Sequence, residues 1–213
     1  CLITQPDREK DRGLSLKPTE VKKVAQVAGL EIYQPPRLNT SETIKLLRGL
    51  APDLFIVIAY GQILSQDILD IPKIFSINVH ASLLPKYRGA APINWAIING
   101  EEETGVSVIE MASKMDAGPI ILQKKIGIAS DDTAITLEDK LSNLAAELLL
   151  SSLNSIEDNS YKLTLQNERG ASFAPKLKKE DGLINWSRSA QDIYNLIRGC
   201  IGWPSAFTCY KGK

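Results

Sequence analysis

The sequence predicts an α/β chain built on an open, mostly parallel sheet, and three observations carry that prediction. Helix-like and strand-like segments alternate along most of its length. The run Asp53-Leu54-Phe55-Ile56-Val57-Ile58-Ala59-Tyr60-Gly61 is apolar and β-branched without alternation, as a central strand covered on both faces would be. From Thr133 onward, Leu137, Leu141, Leu144 and Leu148 recur at spacings of four, three and four, which gathers them into one stripe of a helix.

Taken in order, Cys1-Leu2-Ile3-Thr4 reads as the end of a strand already under way. Pro18 to Gly29 carries a helical period in which Val21, Val24, Ala25 and Ala28 share a face, with Pro18 near its start and Gly29 beyond its last turn. The Asp53 to Gly61 strand should open at Gly61 into a crevice, because ligands of open α/β sheets bind beyond the carboxyl ends of the strands. Ser76 to His80 is a second, short strand, and Pro92 to Asn99 a helix stopped by Gly100. Gly105 to Met111 and Ile120 to Ile128 are further strands, and the leucine-striped helix runs from Thr133 to about Asn154. The periodicity then lapses in a polar stretch from Thr164 to Lys179. Beyond it Ser189 to Ile197 is helix-like, and Gly202-Trp203-Pro204 makes a turn before Ala206 to Tyr210. The division expected is a first domain at 1–163, a linker at 164–180 and the start of a second domain at 181–213, which is too short to bury a core alone. Both ends read as those of a fragment, since the chain opens inside one strand and stops as another begins.

Composition narrows the classes. With 25 Lys+Arg against 25 Asp+Glu and 44% hydrophobic residues, the chain is neither a disordered solvating segment nor a coat for nucleic acid held by bulk charge. A local basic element remains open. Cys1, Cys200 and Cys209 form no CxxC pair and no even framework, which argues against a disulfide miniprotein and a structural zinc site. No apolar run approaches the roughly 20 residues of a membrane-spanning helix, so a soluble protein is expected.

The densest polar cluster is Asn78-Val79-His80-Ala81-Ser82-Leu83-Leu84-Pro85-Lys86-Tyr87-Arg88-Gly89, and it contains the chain's only histidine. Alternation along a strand sets Asn78 and His80 on the same face. Imidazole transfers protons near neutral pH and a carboxamide can donate to an oxyanion, so the pair suits carbonyl chemistry. A histidine beside a strand is also a common structural hydrogen-bonding residue. Met115-Asp116-Ala117-Gly118 places a carboxylate in a tight turn between two strands, where an aspartate can equally serve only the turn.

The stretch SINVHASLLPKYRGAAPINWAIINGEEETGVSVIEMASKMDAGPII, with its Asn-x-His pair, Ser-Leu-Leu-Pro loop, following Arg-Gly and later Asp-x-Gly, resembles the catalytic core of the 10-formyltetrahydrofolate-dependent formyltransferases. The resemblance implies their Rossmann-like fold and assigns the catalytic triad to Asn78, His80 and Asp116. A primary amine would attack the formyl carbon, Asn78 and protonated His80 would stabilise the oxyanion, and Asp116 would orient the imidazole and assist proton removal from the amine. It implies no metal. It also implies a folate site bordered by Ala59, Tyr60, Gly61, Gln62, Ile63 and Leu64 and by the turn near Asp116, with Ser82, Leu83, Leu84 and Pro85 in the adjoining loop. Ile63, Leu64, Leu83 and Leu84 read equally well as core.

Several families share that core. Thr4-Gln5-Pro6-Asp7-Arg8, Arg12-Gly13, and Lys17-Pro18 with Val21-Lys22 resemble the start of the methionyl-tRNA formyltransferases, whose basic loop meets the tRNA acceptor stem. That likeness points to Arg8, Lys10, Arg12 and Lys17 as tRNA contacts, although Asp7, Glu9 and Asp11 offset their charge. Phe173-Ala174-Pro175-Lys176-Leu177, Ile184-Asn185-Trp186 and Gly202-Trp203-Pro204 resemble the linker and opening of the second, OB-like β-barrel domain of that family. The resemblance implies formylation of methionyl-initiator tRNA at the start of translation by a monomer, off the membrane, in a bacterial cytoplasm or an organelle. Sugar-nucleotide N-formyltransferases and 10-formyltetrahydrofolate hydrolase or dehydrogenase domains are the alternatives among enzymes. A silent folate- or RNA-binding module is the alternative outside them.

Overall fold

The computed structural model describes residues 1–10 and 15–210. Its contacts divide the chain into two units, Cys1–Ser76 and Ile77–Lys213.

In the first unit β1 (Leu2–Ile3) pairs in parallel with β4 (Ile32–Tyr33). Between them lie β2 (Arg8–Lys10), β3 (Ser15–Lys17) and helix α1 (Glu20–Val27). Strands β2 and β3 form an antiparallel hairpin that sets Arg8 opposite Lys17 and Lys10 opposite Ser15. The apolar pattern gave no sign of this hairpin, because its residues are mostly charged. Helix α1 starts where the Thr19 side chain accepts the backbone N–H of Lys22. Of its predicted apolar face only Ala25 is buried, whereas Val21 and Val24 are 49% and 67% exposed. After α2 (Ser41–Gly49), capped by Thr40, come β5 (Leu54–Val57) and the single turn α3 (Gln66–Leu69). Leu38, Leu47 and Ile68 form the core here, with Ile3, Ile44, Phe55 and Leu64 packed against it.

Strand β5 departs from the expected doubly covered strand. It is short, and Ile56 and Ile58 are 45% and 55% exposed. The chain turns out of extended conformation at Ala59, whose φ is +45°, so the apolar run continues as a loop rather than as ladder.

Strand β6 (Phe75–His80) crosses into the second unit and pairs antiparallel with β7 (Glu103–Glu110), which pairs antiparallel with β8 (Ile120–Gly127). The connection between β7 and β8 is a turn too short for a helical crossover, so that pair must run antiparallel. Helix α4 (Pro92–Ile98) carries Pro92 at its first position, where a missing N–H does no harm. The leucine stripe is α5 (Ala134–Glu157), opened by a reciprocal Thr133–Thr136 capping box. It packs on β7 and β8, with Leu137, Leu141, Leu144 and Leu148 all buried. Helix α6 (Ala190–Gly199) lies on α4, where the Asn94 amide donates to the Gly199 carbonyl at 2.8 Å. The polar stretch after Thr164 is bonded rather than free. Thr164 and Ile120 exchange backbone hydrogen bonds, Arg88 N–H donates to Ser172, and Ala174 N–H donates to Arg88.

Leu141 is 2% exposed on the sheet side of α5. Leu141→Ala is expected to lower unfolding free energy by about 2–5 kcal/mol, from lost apolar burial plus the cavity left behind. Urea denaturation of the two proteins measures the difference.

Candidate active site

Asn78 and His80 lie on β6 with Val79 between them, so the strand period turns both to one face as the sequence predicts. Asp116 comes from the turn between β7 and β8, with φ +49°. A residue with a Cβ is rarely left-handed, and short polar side chains tolerate it best. Gly118 lets the turn close, because a Cβ there would collide with the Glu110 carbonyl oxygen.

These elements bring the three side chains together. The Asn78 amide donates to Asp116 Oδ1 at 3.3 Å, and His80 Nδ1 stands 3.7 Å from Asp116 Oδ2. The Gly89 backbone N–H donates to Asp116 Oδ2 at 2.8 Å. His80 Nε2 lies 2.9 Å from the Tyr87 carbonyl oxygen. A carbonyl can only accept, so Nε2 carries the proton and the neutral ring keeps its lone pair on Nδ1, on the side of the carboxylate. Tyr87 is itself fixed. Its phenol donates to Glu101 at 2.8 Å, its N–H donates to Ser172 Oγ at 2.9 Å, and burial pushes its phenolic pKa up to about 12.

Behind the Asp116 turn lies a polar chain that sequence reasoning did not find. The Gln166 amide donates to the carbonyl oxygens of Asp116 at 2.8 Å and Gly118 at 2.7 Å. Arg88, 1% exposed, donates to Gln166 Oε1 and to both carboxylate oxygens of Glu168, which also pairs with Lys114 at 2.7 Å. Arg88 stood inside the recognised motif, but Gln166 and Glu168 fall in the aperiodic stretch where no pattern marks them.

The folate residues named from the sequence fall in two places. Ala59, Tyr60, Gly61, Gln62, Ile63 and Leu64 form the loop after β5. There Ile63 is 73% exposed, Leu64 packs on the first unit's core, Tyr60 O accepts from Gln5, and Gln62 Oε1 accepts from Leu38 N–H. In the second unit Ser82 and Leu84 are buried, and the Ser82 hydroxyl donates to Lys86 O at 2.6 Å. Leu83 and Pro85 help line a cavity of about 360 Å³ with Lys86, Glu101 and Thr104, and none of Asn78, His80 or Asp116 lines it. Of the residues named for tRNA, Arg8 and Lys17 are exposed, Lys10 sits in β2, and Arg12 lies outside the described residues. Asp7 pairs with Lys22: hydrogen bonds from Gln34 and Lys22 hold it and keep its carboxyl below the usual range. Among the described residues no group of three or more His, Cys, Asp or Glu could hold a metal ion, and no helix is long and apolar enough to cross a membrane.

Glu168 provides a pH test of this polar chain. Hydrogen bonds from Arg88 and then Lys114 hold its carboxyl at about 2 instead of 4.5. A pKa lowered in the folded state means that its stabilisation is present above 4.5 and lost as pH falls toward 2. Glu168→Gln should therefore unfold at lower temperature than the parent at neutral pH, and the gap should close through that acidic window. Thermal unfolding across pH measures it, and a gap that persists at the acid end would contradict the assignment.

A family model described as formyl transferase matches residues 1–153, and one described as formyl transferase, C-terminal domain, matches residues 176–213. Methionyl-tRNA formyltransferases of Acetivibrio thermocellus and Alkaliphilus metalliredigens are each 48% identical over the whole chain, which spans 68% of their length. That of Geobacter metallireducens is 45% identical over the same shares. Among solved structures, the N-formyltransferase from Helicobacter canadensis, in complex with folinic acid and dTDP-3-aminofucose, matches 96% of this chain and 72% of its own with a TM-score of 0.74 at 23% identity. A sugar N-formyltransferase from a Shewanella species matches 88% and 75% with a TM-score of 0.73 at 20% identity. These structures share the α/β fold, and with the family models and the far closer sequence relatives they lead to one conclusion: the chain belongs to the formyl transferase family.

Proposed function

We propose that this chain transfers the formyl group of 10-formyltetrahydrofolate to the amino group of methionyl-initiator tRNA. The observation that carries the chemistry is the convergence of Asn78, His80 and Asp116, with separations of 3.3 and 3.7 Å to the carboxylate. The choice of acceptor is supported by relatives named methionyl-tRNA formyltransferase at 45–48% identity over the whole chain. Sugar N-formyltransferases resemble it in fold at much lower identity.

Acyl transfer needs a donor at the developing oxyanion and a place for the amine proton. One Asn78 N–H is engaged by Asp116, which leaves its second for the formyl oxygen. When Nδ1 of His80 is protonated, the imidazolium adds a second donor and the Asp116 carboxylate stabilises its charge. The amine nitrogen forms a bond to the formyl carbon and loses a proton toward the Asp116–His80 pair. As the bond from that carbon to the folate nitrogen breaks, the same pair returns a proton to the leaving nitrogen, so the transfer is proton-neutral overall.

The formyl donor is a substrate, and the loop at Ala59–Leu64 suits its flat ring. Ala59 and Gly61 both have positive φ, which turns the backbone out of ladder pairing, and Ile58 and Ile63 present apolar surface. Ser82, Leu83, Leu84 and Pro85 enter this reading as the further folate-binding residues. The β2–β3 hairpin, with Arg8 opposite Lys17 and with Lys10 and Arg12 in the same segment, is proposed to meet the tRNA backbone. Residues 1–163 would form the catalytic domain, 164–180 its connection and 181–213 the opening of an OB-like domain, a division that the family-model matches at 1–153 and 176–213 support. The enzyme would act as a monomer in a bacterial-type cytoplasm.

The test incubates the full-length protein with 10-formyltetrahydrofolate and, separately, methionyl-initiator tRNA, an amino-sugar nucleotide, or water, following product mass. Formylmethionyl-tRNA should form selectively. Asn78→Ala should lower kcat by about 10²–10³-fold and His80→Ala by about 10²–10⁴-fold, with unfolding midpoints unchanged. Transfer to the sugar alone would overturn the acceptor, and full activity in both variants would overturn the mechanism.

A further inference from the structure

We propose that Gln166 is a positioning residue for the Asp116 carboxylate, oriented for that task by Arg88 and Glu168. This rests on the transferase reading above and adds to it a residue from a part of the chain remote from the triad.

A carboxamide carries two donors on its nitrogen and an acceptor on its oxygen. Gln166 uses all of these. Its Nε2 donates to Asp116 O and Gly118 O, the carbonyls on either side of Ala117, while its Oε1 accepts from Arg88 Nε at 3.1 Å and from a terminal guanidinium nitrogen at 2.7 Å. Arg88 has no acceptor atom, so the amide cannot turn over: with nitrogen toward Arg88 and oxygen toward the two carbonyls, every one of those contacts would become repulsive. Glu168 completes the arrangement by taking Arg88 on one side and Lys114, from the turn itself, on the other.

The turn has need of such a hold. Asp116 sits at φ +49°, a left-handed conformation that costs free energy for a residue with a Cβ even where, as for aspartate, it is tolerated. Its carboxylate must meet the Gly89 N–H, the Asn78 amide and the imidazole at once. Gln166 grips the backbone at the residue that carries the carboxylate and again beyond it, so displacement of the turn would move the carboxylate relative to His80 Nδ1. A shift of about 1 Å in a reacting group can lower turnover by about 10²-fold.

A bland role would have Gln166 merely fasten its own segment to Arg88. Gln166→Glu separates the two roles, because glutamate keeps an acceptor for Arg88 and strengthens that pairing, yet it removes both donors and sets a carboxylate against two carbonyls. In the full-length protein kcat should fall about 10–100-fold, while KM for both substrates stays within about twofold and any fall in the unfolding midpoint leaves the protein fully folded at the assay temperature. Unchanged kcat, or a kcat loss matched by unfolding at that temperature, would overturn the proposal. If the parent protein formylates none of the acceptors, the transferase reading fails by itself, and a crystal structure of the variant then decides the positioning claim. Loss of the contact between Asp116 Oδ2 and Gly89 N would support it, and its retention would overturn it.

Discussion

One hydrogen bond, from His80 Nε2–H to the carbonyl of Tyr87, decides how this site can work. It settles which nitrogen of the only histidine holds the proton in the neutral ring, and thereby leaves the lone pair on the side of Asp116. The carbonyl can serve because Tyr87 is held in an unusual conformation, φ +62°, by a buried ring anchored on Glu101 and by its own N–H on Ser172. The loop between β6 and α4 is therefore part of the candidate site. Its backbone supplies an acceptor to the imidazole at Tyr87 and a donor to the carboxylate at Gly89.

That loop is shaped by chain far from it in sequence. Residues 172–174 bond to the backbone of Arg88 on both sides, and a Cβ at Gly89 would lie 2.6 Å from the Ala174 carbonyl oxygen, so glycine is required for the approach. The same return segment brings Gln166 and Glu168 to the turn of Asp116. Two loops of the candidate site, one after β6 and one after β7, are thus held by a third stretch that includes the short 3₁₀ turn Glu168–Gly170. The leucine face of α5 docks on β7 and β8, the two strands that flank the turn of Asp116.

The sequence made the periodic parts visible. The stripe of α5 was legible because burial of Leu137, Leu141, Leu144 and Leu148 imposes a helical spacing, and Asn78 with His80 was legible because a strand sends alternate residues to one face. The β2–β3 hairpin stayed hidden, since its residues are mostly charged and its pairing is made by backbone groups common to every residue. Likewise Val21 and Val24 keep the helical spacing but lie exposed, so periodicity identified α1 without telling which residues it buries. Asn78, His80 and Asp116 were picked out through their motif, whereas the Tyr87 carbonyl, the Gly89 amide and the Gln166 carboxamide could not be. Two of them are backbone atoms, and the third acts through a contact fifty residues along the chain.

Because the chain has a single histidine, its imidazole can be read without assignment against others. The decisive measurement is the nitrogen-15 spectrum of His80 at a pH where the ring is neutral. Nε2 should give the signature of a protonated nitrogen and Nδ1 that of a bare one, as the bond to Tyr87 demands. The reverse pattern, or averaging between the two, would mean that the carbonyl does not hold the ring, and the assignment of Nδ1 as the nitrogen left free to take up a proton beside Asp116 would fall.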